Sequence, residues 1–155
     1  MMFNILSAYQ VDTNLFAGQK PYSLFDEDEI IDELKSKNIK KIISLMEINE
    51  INYNLTNFEK NFELLSFPIV DNTVPSYDVI QNILNNISND VTTYVHCNLG
   101  LGRTGIIVGV YLAQRYGLCG DSILKKIDEL KINSKLQNNK SPITKEQIDF
   151  ILNLK

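Results

Sequence analysis

The chain has 155 residues, a hydrophobic fraction of 44% and a formal net charge of -4. That length buries one core and leaves no room for two ordinary domains, so a single domain over 1–155 is expected, and the acidic balance argues against bulk attraction to nucleic acid or to acidic membranes. Two cysteines, Cys97 and Cys119, argue against a disulfide scaffold, and with a single histidine they exclude an all-Cys/His tetrahedral zinc site.

The opening residues lack the charged-then-apolar layout of a signal peptide, so cytoplasmic residence is the default expectation. Leu15-Phe16-Ala17 reads as a short strand, and Glu27 to Lys37 as an amphipathic helix with Ile30, Ile31 and Leu34 on one face. The pair Lys40-Lys41 leads into an apolar strand, Lys41 to Met46. A polar connection through Asn57 comes next, then a strand from Phe62 to Ile69. Ser76 to Ser88 carries Val79, Ile80, Ile83, Leu84 and Ile87 at helical spacing, and Thr92 to His96 is β-rich. Helices are expected at Thr104 to Tyr116, ending near Gly117, at Asp121 to Lys131 and at Thr144 to Leu154, where Thr144 and Gln147 have the spacing of a capping box. The longest apolar run, around Gly105 to Ala113, is too short to span a bilayer. Asn133 to Pro142 is polar and reads as a loop. The acidic stretches, Asp26 to Glu33 and around Glu47 and Glu50, read most simply as solvated faces. Alternating strands and helices imply an α/β domain whose central, largely parallel sheet is flanked by helices on both faces.

His96-Cys97-Asn98-Leu99-Gly100-Leu101-Gly102-Arg103-Thr104-Gly105 joins a strand to a helix. A cysteine and an arginine separated by five residues, two of them glycine, can close a tight loop of inward N–H groups ending at a helix N-terminus. Such a loop binds a tetrahedral dianion, through the backbone of Asn98, Leu99, Gly100, Leu101 and Gly102 and through Arg103. The same setting favours a thiolate over a thiol, which makes Cys97 a nucleophile. The planar fork of Arg103 can hold two phosphate oxygens together. Thr104 is placed to donate its hydroxyl to the sulfur, and His96 to brace the loop by hydrogen bonds. This loop and Arg103 supply the positive field themselves, so neither metal nor cofactor is called for.

The ten residues resemble the signature of the cysteine-dependent protein tyrosine phosphatase superfamily, His-Cys-x5-Arg followed by Ser or Thr, and look most similar to its small dual-specificity branch. In looser form the resemblance runs from about Asn14 to Leu154. It implies hydrolysis of phosphomonoesters through a cysteinyl-phosphate intermediate. Phe67-Pro68-Ile69-Val70-Asp71-Asn72-Thr73-Val74-Pro75 resembles the general-acid loop of these enzymes, which makes Asp71 the proton donor and Asp78 the fallback; the interval from Asp71 to Cys97 is shorter than in many members. Relatives acting on inositol lipids place lysines inside the loop, where this chain has Leu99 and Leu101. The Asn-Arg-Tyr element of the larger tyrosine-specific enzymes is missing. The implied substrate is a phosphorylated protein or peptide bearing phosphotyrosine, with phosphoserine and phosphothreonine as extensions, acted on by a monomer without nucleic-acid or membrane partners.

Competing readings exist for each feature. Gly100-x-Gly102-x-x-Gly105 is also a literal dinucleotide fingerprint, but that fold needs a second parallel strand after the helix, and Asp121 to Lys131 reads as helix. Cys97 alone reads as a core cysteine; Arg103 and Thr104 in register favour the loop. Asp71 alone reads as a turn aspartate. Gln147 matches a water-positioning glutamine of some relatives, yet its capping role explains it equally well. Cys119 reads as an ordinary loop cysteine rather than a redox partner of Cys97. Rival functions are a non-catalytic phosphate-binding module, a sulfurtransferase with a similar cysteine loop, and an enzyme acting on RNA 5′ phosphates.

Overall fold

In the computed structural model, which describes residues 2–21 and 26–155, strands β1 (Ala8–Asp12) and β2 (Leu15–Gln19) form an antiparallel hairpin at one edge of a five-stranded sheet. β3 (Lys41–Ser44), β4 (Glu63–Ser66) and β5 (Thr93–Cys97) complete it in the order β1-β2-β5-β3-β4. Every pairing except the hairpin is parallel. β5 is therefore central, and all five of its residues are buried. Parallel strands covered on both faces read as continuous apolar runs, and Thr-Tyr-Val-His-Cys departs from that rule at Thr93 and His96, both buried.

Helices α1 (Glu27–Ser36) and α2 (Leu55–Glu59) lie on one side, and α3 (Tyr77–Asn85), α4 (Gly102–Tyr116), α5 (Asp121–Lys131) and α6 (Lys145–Leu152) supply the other. Two cores result. Ile30, Ile31, Leu34 and Phe58 pack with Phe16, Ile42 and Tyr94 in the first. Ile83, Ile107, Ile127 and Ile151 pack with Ile43 and Val95 in the second. Each fully buried Ile or Leu contributes on the order of 2 kcal/mol. Because side chains alternate along a strand, Val95 and Cys97 face the α4 core while Tyr94 and His96 face the other. The alternation separates Cys97 from its neighbouring histidine.

The chain departs from the sequence expectations in informative places. β1 carries no apolar run; it is an edge strand that exists through its pairing with β2. The strand expected over Phe62 to Ile69 is assigned only at Glu63–Ser66, yet the backbone stays beside its neighbour, with Phe67 donating to the Ser44 carbonyl at 2.9 Å and Ile69 to Leu45 at 3.0 Å. α2 and a 3-10 turn at Ile48–Glu50 occupy what reads as a polar connection. Glu33 is not a solvated residue: it is 9% exposed and accepts from the Asn4 amide and, at 2.8 Å, from Ile5, fastening the segment before β1. The helix after the loop begins at Gly102 rather than Thr104, which places Arg103 in its first turn. The next element after α4 is another helix, α5, and β5 is the last strand among the described residues, so the dinucleotide reading has no second strand to use.

Candidate active site

Cys97 ends β5, and Asn98 to Leu101 turn back to start α4. Gly100 adopts φ 81, and a Cβ built there would lie 2.3 Å from the carbonyl carbon of Gly18. Only glycine accepts both the left-handed backbone and that approach. The loop is tied to the end of β2 by the Lys20 amide, which donates to the Asn98 carbonyl at 3.3 Å. On the other side the Ser141 hydroxyl donates to Leu101 at 2.6 Å and sits 2.5 Å from where a Gly105 side chain would begin. Leu101, the N-cap of α4, makes no side-chain capping bond. The first-turn N–H groups that helices leave unpaired are thus uncapped by it at the mouth of the loop.

Arg103 is 1% exposed, and its fork is held in one orientation. Nη1 donates to Glu50 Oε2 at 2.8 Å and to the Ile69 carbonyl at 2.9 Å; Nη2 donates to Glu50 Oε1 at 2.9 Å and lies 3.3 Å from Asp71 Oδ1. Burial works against its charge, but the Glu50 hydrogen bonds together with Cys97 and Asp71 outweigh that and raise its pKa above the ordinary value. The same hydrogen bonds hold Glu50 below the usual carboxylate range. Glu50 is therefore no solvated acid; it is the residue that aims Arg103. Among the described residues three buried side-chain polar atoms have no hydrogen-bond partner, the Tyr9 hydroxyl and, in the first turn of α4, Arg103 Nε and Thr104 Oγ1. Leaving a buried polar atom unpaired costs roughly 1–3 kcal/mol.

Asp71 sits on a turn in which Thr73 donates through its amide and, at 2.6 Å, its hydroxyl to the Val70 carbonyl. Asn72 takes the left-handed φ 63 that this turn requires and donates its amide to Asp71 Oδ1 at 2.9 Å. The Asp71 side chain is 55% exposed, facing solvent on one side and Arg103 on the other. Asp78 lies in the first turn of α3. Gln147 forms the expected capping box with Thr144, but it is fully buried and does more. Its Nε2 donates to the Thr73 carbonyl at 3.3 Å, and its amide lies 3.2 Å from the Cβ position of Gly102. It joins the Asp71 turn to the loop between Cys97 and Arg103. Cys119 is exposed, in a turn where Ser122 caps its amide. Among the described residues, no three His, Cys, Asp or Glu side chains gather as a metal cluster, and no helix is long and apolar enough to cross a membrane.

His96 lies beneath the loop, with Nδ1 3.0 Å from the Cys97 carbonyl and Nε2 3.0 Å from the Tyr53 hydroxyl. A carbonyl only accepts, so Nδ1 carries the proton and Tyr53 donates to Nε2. Burial, reinforced by the charges of Arg103 and Lys20, pushes the His96 pKa down from 6.5 to about 4. Folding thus favours neutral His96, whereas the unfolded chain takes up a proton below about pH 6.5. The stability it supplies is complete above that pH and is lost as pH falls toward 4, on the order of 3 kcal/mol in all. Urea unfolding at pH 7 and pH 4.5 is expected to show that loss, with a shallower pH slope in a His96→Gln variant; parallel slopes contradict it.

Three comparisons place this geometry among known proteins. The family model described as "Polymorphic toxin system, DSP-PTPase phosphatase" matches residues 17–117, from β2 through the end of α4. The tyrosine-protein phosphatase cdc-14 of Caenorhabditis elegans is 29% identical over 80 residues, 50% of this chain and 11% of that protein. The phosphatidylinositol 3,4,5-trisphosphate 3-phosphatase cnrN of Dictyostelium discoideum is 31% identical over 91 residues, 55% of this chain and 14% of that one. This chain thus spans less than a fifth of either relative. The crystal structure of Tk-PTP in its active form superposes with a TM-score of 0.74 at 24% identity, covering 96% of this chain and 95% of its own. The family model covers well over half of the sequence and includes the whole loop from Cys97 to Arg103, and the chain belongs to the DSP-PTPase phosphatase family it describes.

Proposed function

We propose that the protein hydrolyses phosphomonoesters on proteins, phosphotyrosine foremost and phosphoserine and phosphothreonine in addition, by two displacements at phosphorus. The Cys97 thiolate attacks, an S–P bond forms and the bond to the ester oxygen breaks, while Asp71 in its acid form protonates that oxygen. Water then attacks the cysteinyl-phosphate, releasing inorganic phosphate and the thiolate, whose departure the Thr104 hydroxyl eases by donating to the sulfur. Arg103 and the N–H groups of Asn98 to Gly102 hold the nonbridging oxygens throughout and stabilise the charge in flight. His96 braces the loop from below.

The observation that carries this reading is the state of Arg103. Glu50 and the Ile69 carbonyl occupy Nη1 and one hydrogen of Nη2, and the Nε–H on the other edge is buried without a partner. A dianion in the loop satisfies it, taking Nε and Nη2 together as Asp71 yields its place on Nη2, while the Thr104 hydroxyl, also buried and unpartnered, is left for the sulfur. A lipid reading draws on the resemblance to the Dictyostelium enzyme, but the loop interior from Asn98 to Gly102 offers no lysine for a second phosphate. The direct test is hydrolysis of para-nitrophenyl phosphate in EDTA. Turnover with vanadate as a competitive inhibitor is expected, vanadate mimicking five-coordinate phosphorus; silence overturns the proposal in favour of a phosphate-binding module.

A further inference from the structure

Half of the large apolar side chains exposed among the described residues belong to segments that carry or adjoin the site. Ile48 is 78% exposed, Val70 58%, Tyr77 57% and Leu99 52%. Ile48 is in the turn that carries Glu50, and Val70 lies between Ile69, whose carbonyl holds Arg103, and Asp71. Leu99 is in the phosphate loop itself. Tyr77 opens α3 just after the Asp71 turn, its ring 6.0 Å from Phe150 of α6, the helix whose Gln147 reaches the loop. Each of these exposed side chains thus sits on a segment that also supplies a residue of the site or adjoins one that does. Isolated exposed apolar residues need no explanation, but four on segments that converge on Arg103 and the loop mark an apolar rim.

Resting on the proposed function, the occupant of such a rim is determined by covalent structure. While a phosphate sits in the loop, the group lying over Ile48, Val70 and Leu99 is the one that bears it. The same segments carry the carboxyl groups of Glu47, Asp71 and Asp78, while Arg103 is already paired with Glu50; Lys20 adds a positive charge felt at Glu50 and His96. An acidic flank meets like charge there, and so does an anionic bilayer surface. We infer that this rim selects phosphotyrosine in a peptide segment whose neighbouring residues are aliphatic and uncharged, with Ile48, Val70 and Leu99 as its specificity-determining contacts.

Synthetic phosphotyrosine peptides differing only in the residues flanking the tyrosine provide the test. Leucine or isoleucine flanks are expected to give kcat/KM about tenfold above glutamate flanks, the scale of one or two apolar contacts in a pocket. Ile48→Lys, at an exposed position that a charge does not unfold, removes the apolar contact and offers a glutamate flank an opposite charge, and is expected to bring that ratio close to one. Equal kcat/KM across the peptides, a preference for acidic flanks, an unchanged ratio in the variant, or faster turnover of a phosphorylated lipid in neutral vesicles than of every peptide overturns the inference. Para-nitrophenyl phosphate serves as the gauge: if the unaltered protein fails to hydrolyse it, the proposed function itself falls and the inference with it.

Discussion

Cys97→Ser is expected to reduce turnover of para-nitrophenyl phosphate by on the order of 10⁴-fold or more while leaving the fold in place. A serine hydroxyl at the end of β5 stays protonated where a thiol ionises, and the attack at phosphorus needs the anion. The exchange changes one atom in a residue that is 3% exposed and borders a polar loop, so the unfolding midpoint is expected to shift little. The variant is also expected to keep its affinity for inorganic phosphate, because Arg103, its Glu50 clamp and the loop amides are untouched. Full activity in the variant would falsify the assignment of the nucleophile. Lost activity together with lost phosphate binding would point instead to a collapsed loop.

The second large effect is expected from Asp71→Asn, a fall of about 10²–10⁴-fold in turnover at neutral pH. The asparagine amide keeps the size and the turn but has no proton to give the leaving oxygen. The loss should grow with the basicity of the leaving group, being smallest for activated aryl phosphates and largest for alkyl ones. The fall in activity toward high pH that an acid catalyst imposes should also flatten. Unchanged turnover with an unchanged pH profile removes Asp71 from the mechanism and brings Asp78 forward. The variant loses the negative charge 3.3 Å from Arg103 Nη2, so tighter vanadate binding alongside slower turnover is the expected signature, one that a merely structural aspartate does not produce.

The features readable from the residues are local by nature. Cys97, Arg103 and the glycines between them lie within one turn of chain, and hydrophobic period marked α1, α3, α5 and the apolar centres of β3 and β5. Capping chemistry is equally local, and Thr144 with Gln147 announced α6 before any fold was known. The α/β class came from alternation alone. Boundaries slipped where tertiary contacts extend or shorten an element. β1 is held by its pairing with β2, and α4 gains its first turn because Gly102 and Arg103 are packed beneath the loop.

Only the folded chain brings together residues far apart in sequence. Glu50 and Arg103 are separated by 53 positions, and nothing around Glu50 distinguishes it from a surface acid until β3 and β5 lie side by side. Gln147 reads as a cap because its capping bonds are local, whereas its bond to Thr73 spans 74 positions. Tyr53 meets His96 across the sheet for the same reason. The sequence by itself determined the strand, loop and helix start that run from Cys97 to Arg103, since backbone amides and a helix start need only neighbouring residues to form such a loop. The tertiary structure decided how its arginine is aimed, where its acid stands and what surrounds its mouth, because electrostatics and packing depend on distance in space rather than along the chain.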